Sequence, residues 1–224
     1  MNTAGAELIT NDYAWRHPEA PGAARSPLWR MTSGSLYRLP DGRYWTGLPD
    51  AVGTDTLSDR GTNSAVFRMV SISCGYQDAA VSIDIDLREL VDARRTPKEA
   101  WDGVHLMLRY QSPYRLYYVS VIRRDGMVVI KKKCPGGPSN GGTYHDLSPH
   151  VPFVTLLGQG TSFTTTIENE KDDSVRITLY DAAGRQLVSG KDEGVGCPPI
   201  REGGSIGIRG DNAEFAFTLK TIVR

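Results

Sequence analysis

A chain of 224 residues, 39% hydrophobic with 24 glycines and 13 prolines, suits one turn-rich domain that can bury its own core. Lys plus Arg and Asp plus Glu total 26 each, so no bulk charge points to nucleic acid. No stretch approaches the roughly 18 apolar residues of a membrane-spanning helix, and the first fifteen residues lack the basic-then-apolar pattern of a secretory signal.

Residues 1–28 carry His17-Pro18, Ala20-Pro21 and Ser26-Pro27, which predicts an extended lead-in rather than a helix, with the domain proper spanning 29–224. Residues 29–39 read as a strand pair broken at Ser33-Gly34, and Pro40-Asp41-Gly42 turns the chain into Tyr44 and Trp45. A loop rich in Asp, Thr and Gly follows over 51–63. Strands are predicted at 65–73 and 80–87; in the second, Val81, Ile83, Ile85 and Leu87 face inward and Ser82, Asp84, Asp86 and Arg88 outward. Thr96-Pro97-Lys98-Glu99 carries an N-cap, a first-turn proline and a Glu three residues on, which predicts one helical turn.

The stretch 104–133 organises the rest as three consecutive strands. Over 104–111 the alternation places Val104, Leu106, Leu108 and Tyr110 on one face and His105, Met107, Arg109 and Gln111 on the other. Over 116–123 it sets Tyr117, Val119 and Val121 against Leu116, Tyr118 and Ser120. Asp125-Gly126 supplies the positive φ of a hairpin turn before 127–133, which ends in Lys131, Lys132 and Lys133. A Gly-rich loop over 134–142 precedes a strand at 143–147. Further strands are expected at 163–169, 174–180, 186–189, 205–209 and 214–223. Strands about ten residues apart with turns between them indicate an antiparallel β-sandwich of two packed sheets.

Cys74 lies in an apolar stretch and reads as a buried thiol. Cys134 and Cys197 both sit in Gly/Pro loops; they pair if the fold joins those loops, and otherwise the chain carries three free thiols.

Four segments resemble the concanavalin A-like lectin/glucanase jelly rolls, a group that includes laminin-G-like modules. They are Trp29 to Gly34, the meander 117–133 with its Arg124-Asp125-Gly126 turn, the hairpin 175–189 and the closing 204–217. The resemblance implies an all-β jelly roll and a function among lectins, glycoside hydrolases, polysaccharide lyases and binding modules. It also implies a structural Ca²⁺ joining chain ends, for which Asp211 and Asn212, with Asn11 and Asp12, offer oxygens.

Three chemistries are legible. Asp84, Asp86 and Glu89 resemble the Glu-x-Asp-x-x-Glu signature of retaining laminarinase-type glucanases, with Asp where the family has its nucleophilic Glu. His105, Arg109, the tyrosines and Lys131–Lys133 are the residue types of a lyase, which moves the C5 proton and neutralises a uronate. The same aromatic and cationic groups serve plain glycan recognition by stacking and hydrogen bonding. The expected platform is Arg109, Tyr110, Tyr117, Tyr118 and Lys131, with Trp45 and Tyr144 from loops. The favoured reading is a lectin-like module for an extracellular or cell-surface polysaccharide, as an adhesive part of a phage particle or other surface assembly. A lyase is the alternative and a non-catalytic decoration protein the third. Although no signal is recognisable, an extracellular or particle-surface location is expected, with the cytoplasm as the alternative.

Overall fold

Among the residues described by the computed structural model, 5–48, 66–92, 97–139 and 141–223, sixteen strands and one helical turn form, numbered in chain order. The first sheet runs β1 (Glu7–Asn11), β3 (Ser35–Arg38), β4 (Tyr44–Trp45), β16 (Ala213–Val223), β6 (Ala79–Leu90), β12 (Thr161–Asn169), β13 (Val175–Asp181) and β14 (Gln186–Asp192). The second runs β10 (Gly142–Asp146), β9 (Met127–Ser139), β8 (Arg115–Arg123), β7 (Gly103–Ser112), β15 (Ser205–Asp211), β5 (Val66–Ser71) and β2 (Trp29–Ser33), with β11 (Val151–Pro152) also on β9. All pairings are antiparallel, and the core lies between the two sheets. Val81, Ile83, Ile85 and Leu87 of β6 meet Leu106, Val119 and Ile130 of the second sheet there. Each such side chain contributes about 1.5–3 kcal/mol on burial. Phe67 packs edge-on against Phe215 and Phe217, with centroids 5.8 and 6.1 Å apart, and locks β5 against β16.

Several local expectations change. The lead-in contributes to the sheet: Leu8 packs against the cluster of Tyr37 and Trp45, and β1 pairs with β3 as an edge strand. One helical turn follows, α1 (Asp12–Arg16), because the Asn11 side chain accepts from Ala14 N as its N-cap. Residues 97–101 form no helix; the Asp102 carboxylate accepts from Glu99 N and closes a turn instead. Thr96 and the loop 51–63 lie outside the described residues. Cys74 is exposed beyond the end of β5 rather than buried. The Gly-rich 134–139 extends β9 as a strand, pairing Cys134 with Thr143 and Pro135 with Gly142.

Two bulges re-aim the meander. Register slips between Leu108 and Ser112, where Arg109 takes a positive φ of 45°. One extra residue reverses the alternation beyond it, so Arg109 turns toward the first sheet and Tyr110 turns outward. On β8 the slip falls at Val121 and Ile122, both of which are buried in the core, so Arg123 points outward.

Candidate functional site

Three of the residues expected to meet a ligand are held inside the protein. The Arg109 side chain is fully buried and donates to Gln77 O (2.8 Å), Asn169 Oδ1 (2.9 Å), Ile200 O (2.6 Å) and Asp78 Oδ1 (3.2 Å). Tyr117 is buried as well; its hydroxyl donates to Asp192 Oδ2 at 2.6 Å and accepts from Ile200 N at 2.9 Å. Lys132 donates to Asp192 Oδ1 at 2.7 Å, with both side chains fully buried, and also to Cys197 O. The disulfide Cys134–Cys197, with Cα atoms 5.9 Å apart, closes the same region and settles the open question of pairing. Arg109, Tyr117 and Lys132 thus stitch the segment leading from β14 to β15 across one end of the sandwich. Lys131–Lys133 is no exposed cationic run, since only Lys131 of the three keeps appreciable exposure.

Trp45 is also buried, on the first sheet, where Nε1 donates to Glu214 at 2.9 Å and the Arg88 guanidinium lies 5.5 Å over its ring. Beside it runs the acidic outer face of β6. Asp84 accepts from Ser162 Oγ at 2.5 Å and Thr218 Oγ1 at 2.8 Å, and these bonds hold its carboxyl below the usual range. Asp86 lies 3.1 Å from Arg43 and 4.0 Å from Arg88. In a retaining glucanase Asp84 would stand as the nucleophile, an ionised carboxylate with an oxygen free to attack. Both Asp84 oxygens are instead engaged, by Ser162 and Thr218.

The outer face of the second sheet gathers the rest. Register sets Arg68, Arg209, His105 and Ser120 in one row across β5, β15, β7 and β8. The next row sets Val70, Gly207, Met107, Tyr118, Lys131 and Asp146 side by side. Over these rows opens a cleft of ≈ 220 Å³, walled by Trp101, Tyr144, Arg123, Lys131 and Arg209. Its floor is His105, whose Nδ1 lies 3.0 Å from Ser120 Oγ and whose ring stacks on Tyr118 at 4.6 Å and 23°. His105 Nε2 is buried without a hydrogen-bond partner, 3.5 Å from Asp211 Oδ2. Burial, and then the charges of Arg209, Arg123 and Lys131, hold the His105 pKa well below its ordinary value, so the ring is neutral.

The cations of the wall are fixed by carboxylates. Arg209 donates twice to Asp211, at 2.7 and 2.6 Å, while its guanidinium lies 5.9 Å over Trp101. Burial opposes its charge, but Tyr118 and Asp211 outweigh burial and raise its pKa. Lys131 pairs with Asp146 at 3.0 Å, and Arg123 with Asp125. Both arginines bond through Nε and Nη2. Tyr144 packs on Tyr118 at 5.5 Å.

Of the expected platform, Tyr118, Lys131 and Tyr144 come together here. Tyr110 shares the face but packs into a small apolar cluster with Met107, Leu116 and Tyr118, and borders a second depression beside Trp15 and Arg30. Trp101, Arg123 and Arg209 were not anticipated. The alternation of Ile206 and Ile208 against Gly207 and Arg209 places Arg209 outward, so that residue had a signal; Arg123 depends on the bulge.

The residues considered for calcium do not fit it. Both Asp211 oxygens accept from Arg209, Asn212 Nδ2 donates to Asp102 and Pro97 O, and Asp12 pairs with Arg16 at 2.8 Å. A cation at Asp211 would meet the Arg209 guanidinium, and one at Asp12 that of Arg16. Among the described residues no group of three His, Cys, Asp or Glu side chains could hold a metal ion.

No family model and no curated sequence matches the chain. Solved structures do. A Bacillus subtilis protein of unknown function with a galectin-like fold aligns at 12% identity and TM-score 0.54, covering 88% of this chain and 90% of that one. The exoplasmic/lumenal domain of VIP36 in its Ca²⁺/Man-bound form aligns at 11% identity and TM-score 0.50, covering 97% and 90%. A structure from work on endo-acting O-glycanases of the human gut microbiota aligns at 8% identity and TM-score 0.54, covering 89% and 93%. At such identities the likeness is one of fold. The fold is the concanavalin A-like jelly roll.

Proposed function

We propose that the protein binds a saccharide in the cleft on the outer face of its second sheet. The observation that carries the reading is the convergence of three aromatic rings and three fixed cations on neighbouring strands. Trp101, Tyr118 and Tyr144 offer apolar surface for the C–H face of a sugar ring, while Arg123, Lys131 and Arg209 offer donors to its oxygens. Salt bridges and stacking hold these groups in place before a ligand arrives, which lowers the ordering cost of binding. The lectin-like fold supports the same class of ligand without naming the sugar. The Cys134–Cys197 disulfide supports a life in an oxidising setting, outside the cell or on a particle surface. A glycan array followed by titration of Lys131→Ala tests the proposal. The array should return a ligand and the variant should bind it several-fold more weakly; silence across the array would refute it.

One observation favours a polysaccharide lyase as a second reading. Neutral His105, with Nε2 unbonded, lies under Tyr118 and near Arg123 and Lys131, which pairs a proton acceptor with groups that would neutralise a uronate. Release of unsaturated uronate from a uronic polymer by the wild type would move the function to this reading.

A further inference from the structure

The chain has no net charge, yet the outer face of its second sheet carries Arg68, Arg123, Lys131, Lys133 and Arg209. Asp211, Asp125 and Asp146 pair Arg209, Arg123 and Lys131. Arg68 and Lys133 have no such partner among the described residues. Arg68 stands directly opposite Arg209 on the neighbouring strand, between inward-facing Phe67 and Met69, and its Nε is buried without a hydrogen-bond partner. Lys133 is buried too; its Nζ donates only to Pro113 O, at 2.8 Å, and lies 4.9 Å over the Tyr144 ring.

Two like charges facing each other across a strand pair are destabilising, and a buried charged donor without an acceptor costs more. The folded protein bears both costs beside two residues that wall the proposed cleft, Arg209 next to Arg68 and Tyr144 under Lys133. Burial first, and then mutual repulsion with Arg209, lower the pKa of Arg68 and Lys133, as expected of cations that lack an anion. Two partly dehydrated, uncompensated cations, one beside Arg209 and one against the Tyr144 ring, are what an anionic group on a sugar would complete.

We infer that the saccharide is an anionic glycan whose sulfate or carboxylate is bound by Arg68 and Lys133. This rests on the saccharide reading above and names its ligand class. The anion supplies the counter-charge that the Arg68 guanidinium and the Lys133 ammonium lack, while an adjoining sugar ring lies against Tyr144 and Tyr118. Sulfate and carboxylate share this chemistry, and the choice of probes separates them.

The test is calorimetric titration of the full chain with heparin oligosaccharides, hyaluronan oligosaccharides, dextran oligosaccharides and inorganic polyphosphate. Hyaluronan carries carboxylates alone, dextran no charge, and polyphosphate charge without sugar. One of the two charged glycans should bind, with affinity falling as salt rises, and dextran and polyphosphate should not. Arg68→Gln and Lys133→Met should each weaken that binding tenfold or more while leaving the melting temperature unchanged or higher, because each removes an unpaired buried charge. A purely structural role would lower it instead. Binding of a neutral glycan that both variants retain would overturn this inference and leave the saccharide reading intact. Polyphosphate binding as tight as the glycan's would overturn the glycan assignment. Silence toward these probes and toward a whole glycan array would overturn both.

Discussion

Removing the Asp192 carboxylate tests whether the buried polar network is structural. In the variant Asp192→Ala the Lys132 ammonium, fully buried, loses the carboxylate 2.7 Å away, and the Tyr117 hydroxyl loses the acceptor at 2.6 Å. Breaking a buried ion pair from one side costs about 3–5 kcal/mol, since the remaining charge stays uncompensated. For a domain of this size each kcal/mol lowers the melting temperature by about 2–4 °C, so a fall of roughly 6–20 °C is expected. Lys132→Met placed on top of Asp192→Ala should recover part of the loss, because it removes the stranded charge. Thermal unfolding followed by circular dichroism of the wild type, both single variants and the double variant completes the cycle. A fall under about 2 °C for Asp192→Ala, or strict additivity in the double variant, would refute the reasoning.

The remaining predictions use other parts of the molecule. The Cys134–Cys197 link spans 63 residues of sequence, so Cys134→Ser with Cys197→Ser should cost about 4 kcal/mol of stability by chain entropy. Thiol titration of the native protein should find one reactive group, the exposed Cys74; finding three would show the bond absent. Burial, with the charges of Arg209 and Arg68, lowers the Lys133 pKa to about 8 from the ordinary lysine value of about 10.5. Between those values the unfolded chain binds the extra proton, so stability should rise with pH at up to about 1.4 kcal/mol per unit. Above pH 10 the buried tyrosines, whose values are raised chiefly by burial, reverse the trend. Melting at pH 7.5 and 9.5 should show the rise, Lys133→Met should flatten it, and a fall in the wild type would contradict it. Laminarin incubated with the wild type should release no reducing sugar, because both oxygens of Asp84, in the nucleophile's place, are engaged by Ser162 and Thr218 and Asp86 pairs with Arg43; robust release would overturn that assignment.

The sandwich was legible because alternation and turn chemistry are local. Val81, Ile83, Ile85 and Leu87 announce the core face of β6, and Asp125-Gly126 announces the hairpin between β8 and β9. Lys132 was legible too, since counting by twos from Val128 and Ile130 puts it on the core side. What stayed hidden depends on bulges and on partners far along the chain. No local pattern marks Arg109 as the residue that takes φ 45°, and that one residue reverses Arg109 and Tyr110. Its hydrogen-bond partners Asn169 and Ile200 lie 60 and 91 residues away. Arg123 turns outward for the same kind of reason. Tyr118 and Tyr144 were recoverable as a pair only once β9 was seen to run between their strands and to hold Lys131 beside them.

The most direct test of the cleft is a titration that compares Trp101→Ala with Tyr117→Phe. Trp101 is half-exposed on the cleft wall, whereas Tyr117 is buried under the strap between β14 and β15. Loss of a stacking ring should remove about 1 kcal/mol of affinity, roughly fivefold, with the melting temperature unchanged. Tyr117→Phe should lower the melting temperature and bind the array's glycan as the wild type does. Unchanged binding by Trp101→Ala, together with lost binding by a folded Tyr117→Phe, would contradict the account.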